Sequence, residues 1–220
     1  MRVSSGTREF LRPGKLVEAI TSERGKEIMV QAIAYADTMA GEDLARLHLL
    51  RDLFASAPDE ALLGRLNKQA EHDAALQKLA QAAQEETKEV LAAEWMRLFE
   101  GPGRFPVVLF GSYYVDGGKL MGPLTVATRQ FYRQYGMELG ANIPADHLAY
   151  ELGLLGYFIA SAAMADAREC EQFLSARSEF SHRFMLPWIT RMVTVLREST
   201  RVRFFLQLGE LLLSVIQQME

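Results

Sequence analysis

The sequence predicts an all-α, single-domain helical bundle. Nearly every periodic stretch repeats its apolar positions at helical spacing, and alternating β-branched runs are almost absent. A length of 220 residues favours one substantial core over two. Helices are expected at 15–40, 42–55, 58–71, 72–99, 120–136, 145–167, 169–196 and 201–219.

The first fourteen residues, "MRVSSGTREFLRPG", have no apolar h-region and no small-residue cleavage site, so they read as a tail and not as an export signal. Segment 15–41 is helical in pattern. In 42–55, Leu44, Leu47, Leu50 and Phe54 fall at i, i+3, i+6 and i+10, one face of a helix. Pro58 stops it and Asp59 opens the next. Residues 72–93, rich in Ala, Gln, Glu and Lys, form helix readily and are expected at the periphery. Trp95, Leu98 and Phe99 at i, i+3 and i+4 continue that helix with a core face.

The exception is "FEGPGRFPVVLFGSYYVDGGKLMGP", residues 99–123, with six glycines and three prolines but also a run of apolar and aromatic residues. Ordering so long a loop costs entropy, and its apolar content argues against disorder. It is expected to pack on the core or line a groove. After it, Pro144 suits the first turn of a helix, and Asp146 complements that helix's dipole by about 0.3–1 kcal/mol. Residues 148–165 are apolar, yet hold Glu151 and two glycines between charged flanks. They read as a central helix buried on most sides, not a bilayer span. Trp188, after Pro187, reads as core.

Composition excludes several functions. The net charge is −4 with scattered basic residues, so there is no footprint of a nucleic-acid binder. Cys170 is the only cysteine, which suits a reducing compartment. The cytoplasm is the expected location, without stable membrane insertion. The four histidines, His48, His72, His147 and His182, meet no serine in a nucleophile elbow, and neighbours such as Asp146 and His147 diverge by about 100° on a helix. No catalytic residue is assigned. His147 and Glu151, one turn apart, read as an i,i+4 polar pair; two ligands do not make a zinc site, so no metal is expected. "DGGK" lacks the strand and length of a phosphate-binding loop.

Five stretches carry a resemblance. "EWMRLFEGP" (94–102) runs a helix end into a Gly-Pro loop, followed by "FGSYYVDGGKLMGPLTVATRQFYRQYG" (110–136). "NIPADHLAYEL" sets Asp-His before an apolar helix. "ECEQFL" leads to "FMLPWITRM" (169–192), and "FFLQLGELLLSVIQQ" closes the chain. In this order, over residues 42–219, they resemble the TorD/DmsD-like chaperones that mature molybdenum redox enzymes. Ile143 stands where that family usually has Glu, and Phe184 where it has His. These departures bear on client identity more than on fold. Residues 15–41 have no counterpart, leaving 42–219 as the chaperone domain.

The resemblance implies a TorD-like bundle of about ten helices that binds the twin-arginine leader of a molybdopterin oxidoreductase's catalytic subunit. It would hold that subunit for cofactor insertion before export, catalysing nothing and needing no cofactor of its own. It implies a leader groove formed by Trp95, Leu98 and Phe99, by Phe110, Gly111, Ser112, Tyr114 and Gly122, and by Pro144, Asp146 and His147. Asp146 and His147 would form a polar rim, with Asp146 pairing to a leader Arg. Removing either is expected to weaken binding with stability nearly unchanged. The chain would be a monomer or a helix-swapped dimer. Alternatives are a NarJ-like assembly factor for a non-exported redox enzyme, a helical module with a non-molybdenum client, and a nucleotide-binding helical protein using "YYVDGGK".

Overall fold

The structure, a computed structural model, describes residues 39–100, 106–140 and 143–219. They form α1 (Met39–Ala55), α2 (Glu60–Ala70), α3 (Ala74–Ala83), α4 (Lys88–Trp95), α5 (Gly111–Val115), α6 (Pro123–Gln134), α7 (Leu148–Met164), α8 (Ala167–Phe180), α9 (Leu186–Ser199) and α10 (Arg203–Gln217). Two π-helical turns, Met96–Glu100 and Ser181–Met185, extend α4 and join α8 to α9. Among the described residues the β structure is a single isolated bridge, Phe110 to His147. The helix expected at 15–40 lies outside the described residues except at its end.

Short polar side chains set the helix starts, as their competition for backbone donors predicts. Asp59 Oδ1 accepts the Leu62 N–H at 2.7 Å, as its place after Pro58 suggested. Asp73 Oδ1 accepts from Ala75 at 2.9 Å, and Thr87 Oγ1 from Val90 at 3.4 Å. Thr87 is why the single helix expected over 72–99 is two: its hydroxyl starts α4 just after α3 has ended at Ala83. Most of residues 72–93 are exposed, as expected of the periphery, but one face is core. Leu76, Leu79, Ala80 and Ala83 fall on one face of α3, are buried, and pack on α10. The average polarity of the segment hid that stripe.

Helix α7 is central, packed against α1 and α8, with thirteen of its seventeen residues buried. Leu47, Leu50, Leu53 and Phe54 of α1 are fully buried too. Each such side chain contributes about 1.5–3 kcal/mol of burial. No helix among the described residues is long and apolar enough to cross a membrane. The second π turn has an identifiable cause. Pro187 lacks an N–H and its ring would collide with the carbonyl of Arg183, so the ladder widens and the α8–α9 rod continues.

Candidate functional site

Residues 106–123 are not one loop. Val107, Val108, Leu109 and Phe110 run extended and buried beside the entry to α7. The Leu148 N–H donates to the Leu109 carbonyl and the Gly111 N–H to the Asp146 carbonyl, each at 2.9 Å. The chain then turns into the short α5, which periodicity missed. Its N-cap, Phe110, has no side chain able to accept. Asp146 supplies that acceptor from another part of the chain: its Oδ2 accepts the Ser112 N–H at 2.7 Å. Asp146 thus serves the start of α5, not of its own helix. Pro144, expected in the first turn of α7, lies half-buried ahead of it. The N-cap of α7 is His147, whose Nδ1 accepts the Ala149 N–H at 3.1 Å.

Asp146 and Glu151 have no exposed surface and His147 is 2 % exposed, so the polar rim expected on the surface lies inside the protein. Burial holds the His147 imidazole down to about 4, and its ring meets Phe110 edge-on at 4.8 Å. The pair expected between His147 and Glu151 is replaced by another: Trp188 Nε1–H donates to Glu151 Oε2 at 3.1 Å. Burial, and then the nearby Asp146, push the Glu151 carboxyl well above its ordinary range. Tyr132 is raised by burial, then by Glu151, Tyr150 and Asp146. Ser112 Oγ, Thr125 Oγ1, Thr128 Oγ1, Tyr132 OH, Asp146 Oδ1 and Glu151 Oε1 are buried with no hydrogen-bond partner. Thr125, Thr128 and Tyr132 share one face of α6 at i, i+3 and i+7.

The two site glycines are required by close approach. A Cβ on Gly111 would lie 2.7 Å from Leu124 Cδ2 and 2.8 Å from Trp188 Nε1. One on Gly122 would lie 2.4 Å from Asp116 Oδ2, the atom that accepts the Leu124 N–H at the start of α6. Tyr114 stacks on Trp188 at 6.0 Å, and its hydroxyl accepts the Val108 N–H. Phe110, Gly111, Ser112, Tyr114, Gly122, Pro144, Asp146 and His147 are therefore brought to one junction of α5, α6, α7 and α9. Trp95, Leu98 and Phe99 belong to an aromatic core instead. Phe99 contacts Phe54, Trp95 and Phe205, and Trp95 Nε1–H donates to the Leu53 carbonyl at 2.9 Å. The widened turn leaves the Leu98 carbonyl to accept from Val107, which ties this core to the junction.

Sequence reasoning placed the apolar stretch at a groove but did not single out its exposed residues as site positions. Of the eight large apolar side chains exposed among the described residues, four, Val115, Leu120, Met121 and Val126, lie within residues 115–126. The signal was present, as apolar residues around a Gly-Gly turn that belong to no periodic face. The "DGGK" stretch is that turn, between two helices and with no strand before it. No group of three metal-binding side chains occurs among the described residues. Phe184 packs on Phe131 and Phe180, both at 5.2 Å, so this departure from the family pattern is an apolar core residue. Ile143 is half-buried against the core, its carbonyl bonded to Arg129.

Fold and site together define an all-helical protein with a buried polar junction and, close to it in the chain, four exposed apolar side chains. The chain belongs to the nitrate reductase delta subunit family, which matches residues 66–194. It is 32 % identical over 128 residues to a Tat proofreading chaperone DmsD of Salmonella paratyphi A, covering 57 % of this chain and 58 % of the relative. It thus spans somewhat over half the length of that relative. A chaperone protein TorD of Vibrio cholerae is 26 % identical over 185 residues, 82 % of each chain. The crystal structure of a putative redox enzyme maturation protein from Archaeoglobus fulgidus shares the fold, with TM-score 0.55 and 21 % identity over 82 % of this chain and 95 % of that one.

Proposed function

We propose that the chain is a cytoplasmic, non-enzymatic chaperone for a molybdopterin-dependent oxidoreductase. It binds the N-terminal twin-arginine leader of the catalytic subunit and holds that subunit for cofactor insertion before export. The observation that carries this reading is the concentration of exposed apolar side chains at Val115, Leu120, Met121 and Val126. Apolar surface of this kind on a water-exposed helical protein suits a partner helix with an apolar face. The relatives named as chaperones support the same reading. Asp146, fully buried, acts from beneath by holding α5, not as the direct partner of a leader arginine.

Calorimetric titration with a synthetic twin-arginine leader tests it. Binding by the intact chain, lost in Met121→Ser/Val126→Ser with the fold retained, is the expected result; no binding by the intact chain overturns it. A second reading is an assembly factor for a non-exported redox enzyme, in a family whose description names a redox enzyme, nitrate reductase. Equal affinity for a client N-terminus lacking the arginine pair selects that one.

A further inference from the structure

Two acidic side chains are buried at the junction. Asp146 and Glu151 are fully buried, and each has one oxygen on a neutral N–H donor, Ser112 and Trp188 respectively. The other oxygen of each, Asp146 Oδ1 and Glu151 Oε1, has no partner. A desolvated carboxylate needs donors, and two neighbouring carboxyls away from water do not both ionise. Burial first, and then the nearby Asp146, favour the protonated form of Glu151.

We propose that Glu151 is a positioning residue: through the Trp188 indole it clamps residues 109–116 onto α7 and α9, setting the apolar surface above. The close fit at Gly111 supports this, since a missing methyl group lets the arm lie directly on the indole that Glu151 holds. The titratable groups around the pair are Tyr132 from α6, His147 and Tyr150 from its own segment, and Tyr114 stacked on Trp188. Arg191 of α9 is engaged on the Tyr114 carbonyl. The consequence for peptide presentation rests on the chaperone reading; the clamp does not.

Hydrogen exchange of the full chain, resolved by segment, tests the clamp. Glu151→Gln keeps an acceptor for the indole, whereas Glu151→Leu keeps none. The expected result is protection of residues 109–116 near the parent level in E151Q and about tenfold faster exchange there in E151L, with α1 and α10 unchanged. Arm exchange in E151L equal to the parent overturns the inference, and so does protection lost evenly across the chain. The buried carboxyl of Glu151 predicts a second readout. A carboxyl raised by burial favours the closed arm at low pH and loses that effect as pH rises through its folded value. Exchange of residues 109–116, corrected for its intrinsic rate, therefore accelerates towards alkaline pH in the parent but not in E151Q; identical profiles overturn a role for the Glu151 proton in the clamp. Leader titration of the same variants separates the two readings. A parent that fails to bind defeats the chaperone reading, whereas E151L that binds like the parent despite a loosened arm defeats the presentation claim.

Discussion

The aromatic core around Phe99 and the polar junction around Asp146 are both buried and joined through Val107, yet they are built on opposite terms. In the first, rings meet rings and the polar atom of Trp95 is satisfied at the Leu53 carbonyl. In the second, six buried oxygens have no partner in the protein. A core assembled for stability alone would replace such atoms by hydrocarbon, because each unsatisfied group costs about 1–3 kcal/mol. Residues kept at that cost act by holding geometry. The comparison moves the functional emphasis away from Trp95, Leu98 and Phe99, and onto the arm that Asp146 and Glu151 hold.

The largest effects should come from the aromatic core. Trp95→Ala or Phe99→Ala should lose about 3–5 kcal/mol in chemical denaturation, from burial and cavity terms together. If either variant unfolds without that loss but binds leader poorly, the two regions have been assigned the wrong way round.

Next comes acid. His147 titrates at about 4 in the folded chain against 6.5 when free, so the unfolded state takes up the proton first as pH falls. Its contribution is complete above 6.5 and is lost between 6.5 and about 4, on the order of 3 kcal/mol. His147→Asn retains a capping acceptor and should flatten that part of the stability-versus-pH curve. An unchanged acid limb removes His147 from the junction's energetics.

Smaller still is Gly111→Ala. The added methyl group meets Leu124 and Trp188 below 3 Å, which predicts about 1–3 kcal/mol of overpacking, visible as a shift in Trp fluorescence and in melting. The smallest stability change belongs to Val126→Ser, which is 56 % exposed and should stay within about 0.5 kcal/mol. Its effect is expected on leader affinity, and a change in stability with affinity intact would leave the exposed surface without a role.

Much of the frame was legible in advance. The α1 stripe from Leu44 to Phe54 is buried as its spacing required, Asp59 caps α2, and the apolar run after His147 is the central helix. The site was legible only as a set of positions. Asp146 was read as serving its own helix, because local rules pair a carboxylate with the nearest helix start. Its partner, Ser112, is 34 residues away. Glu151 was paired with His147 by the one-turn rule, whereas its hydrogen-bond partner is on α9.

The physical division is clear in these cases. Periodicity, caps and prolines act over a few residues, so the sequence by itself determined the helical class, most helix spans and the burial of α7. Which polar atoms end up without water depends on how α5, α6, α7 and α9 meet, and no local pattern encodes that meeting. Only the tertiary structure decided that Asp146, His147 and Glu151 lie beneath the surface, and that Val115, Leu120, Met121 and Val126 lie on it.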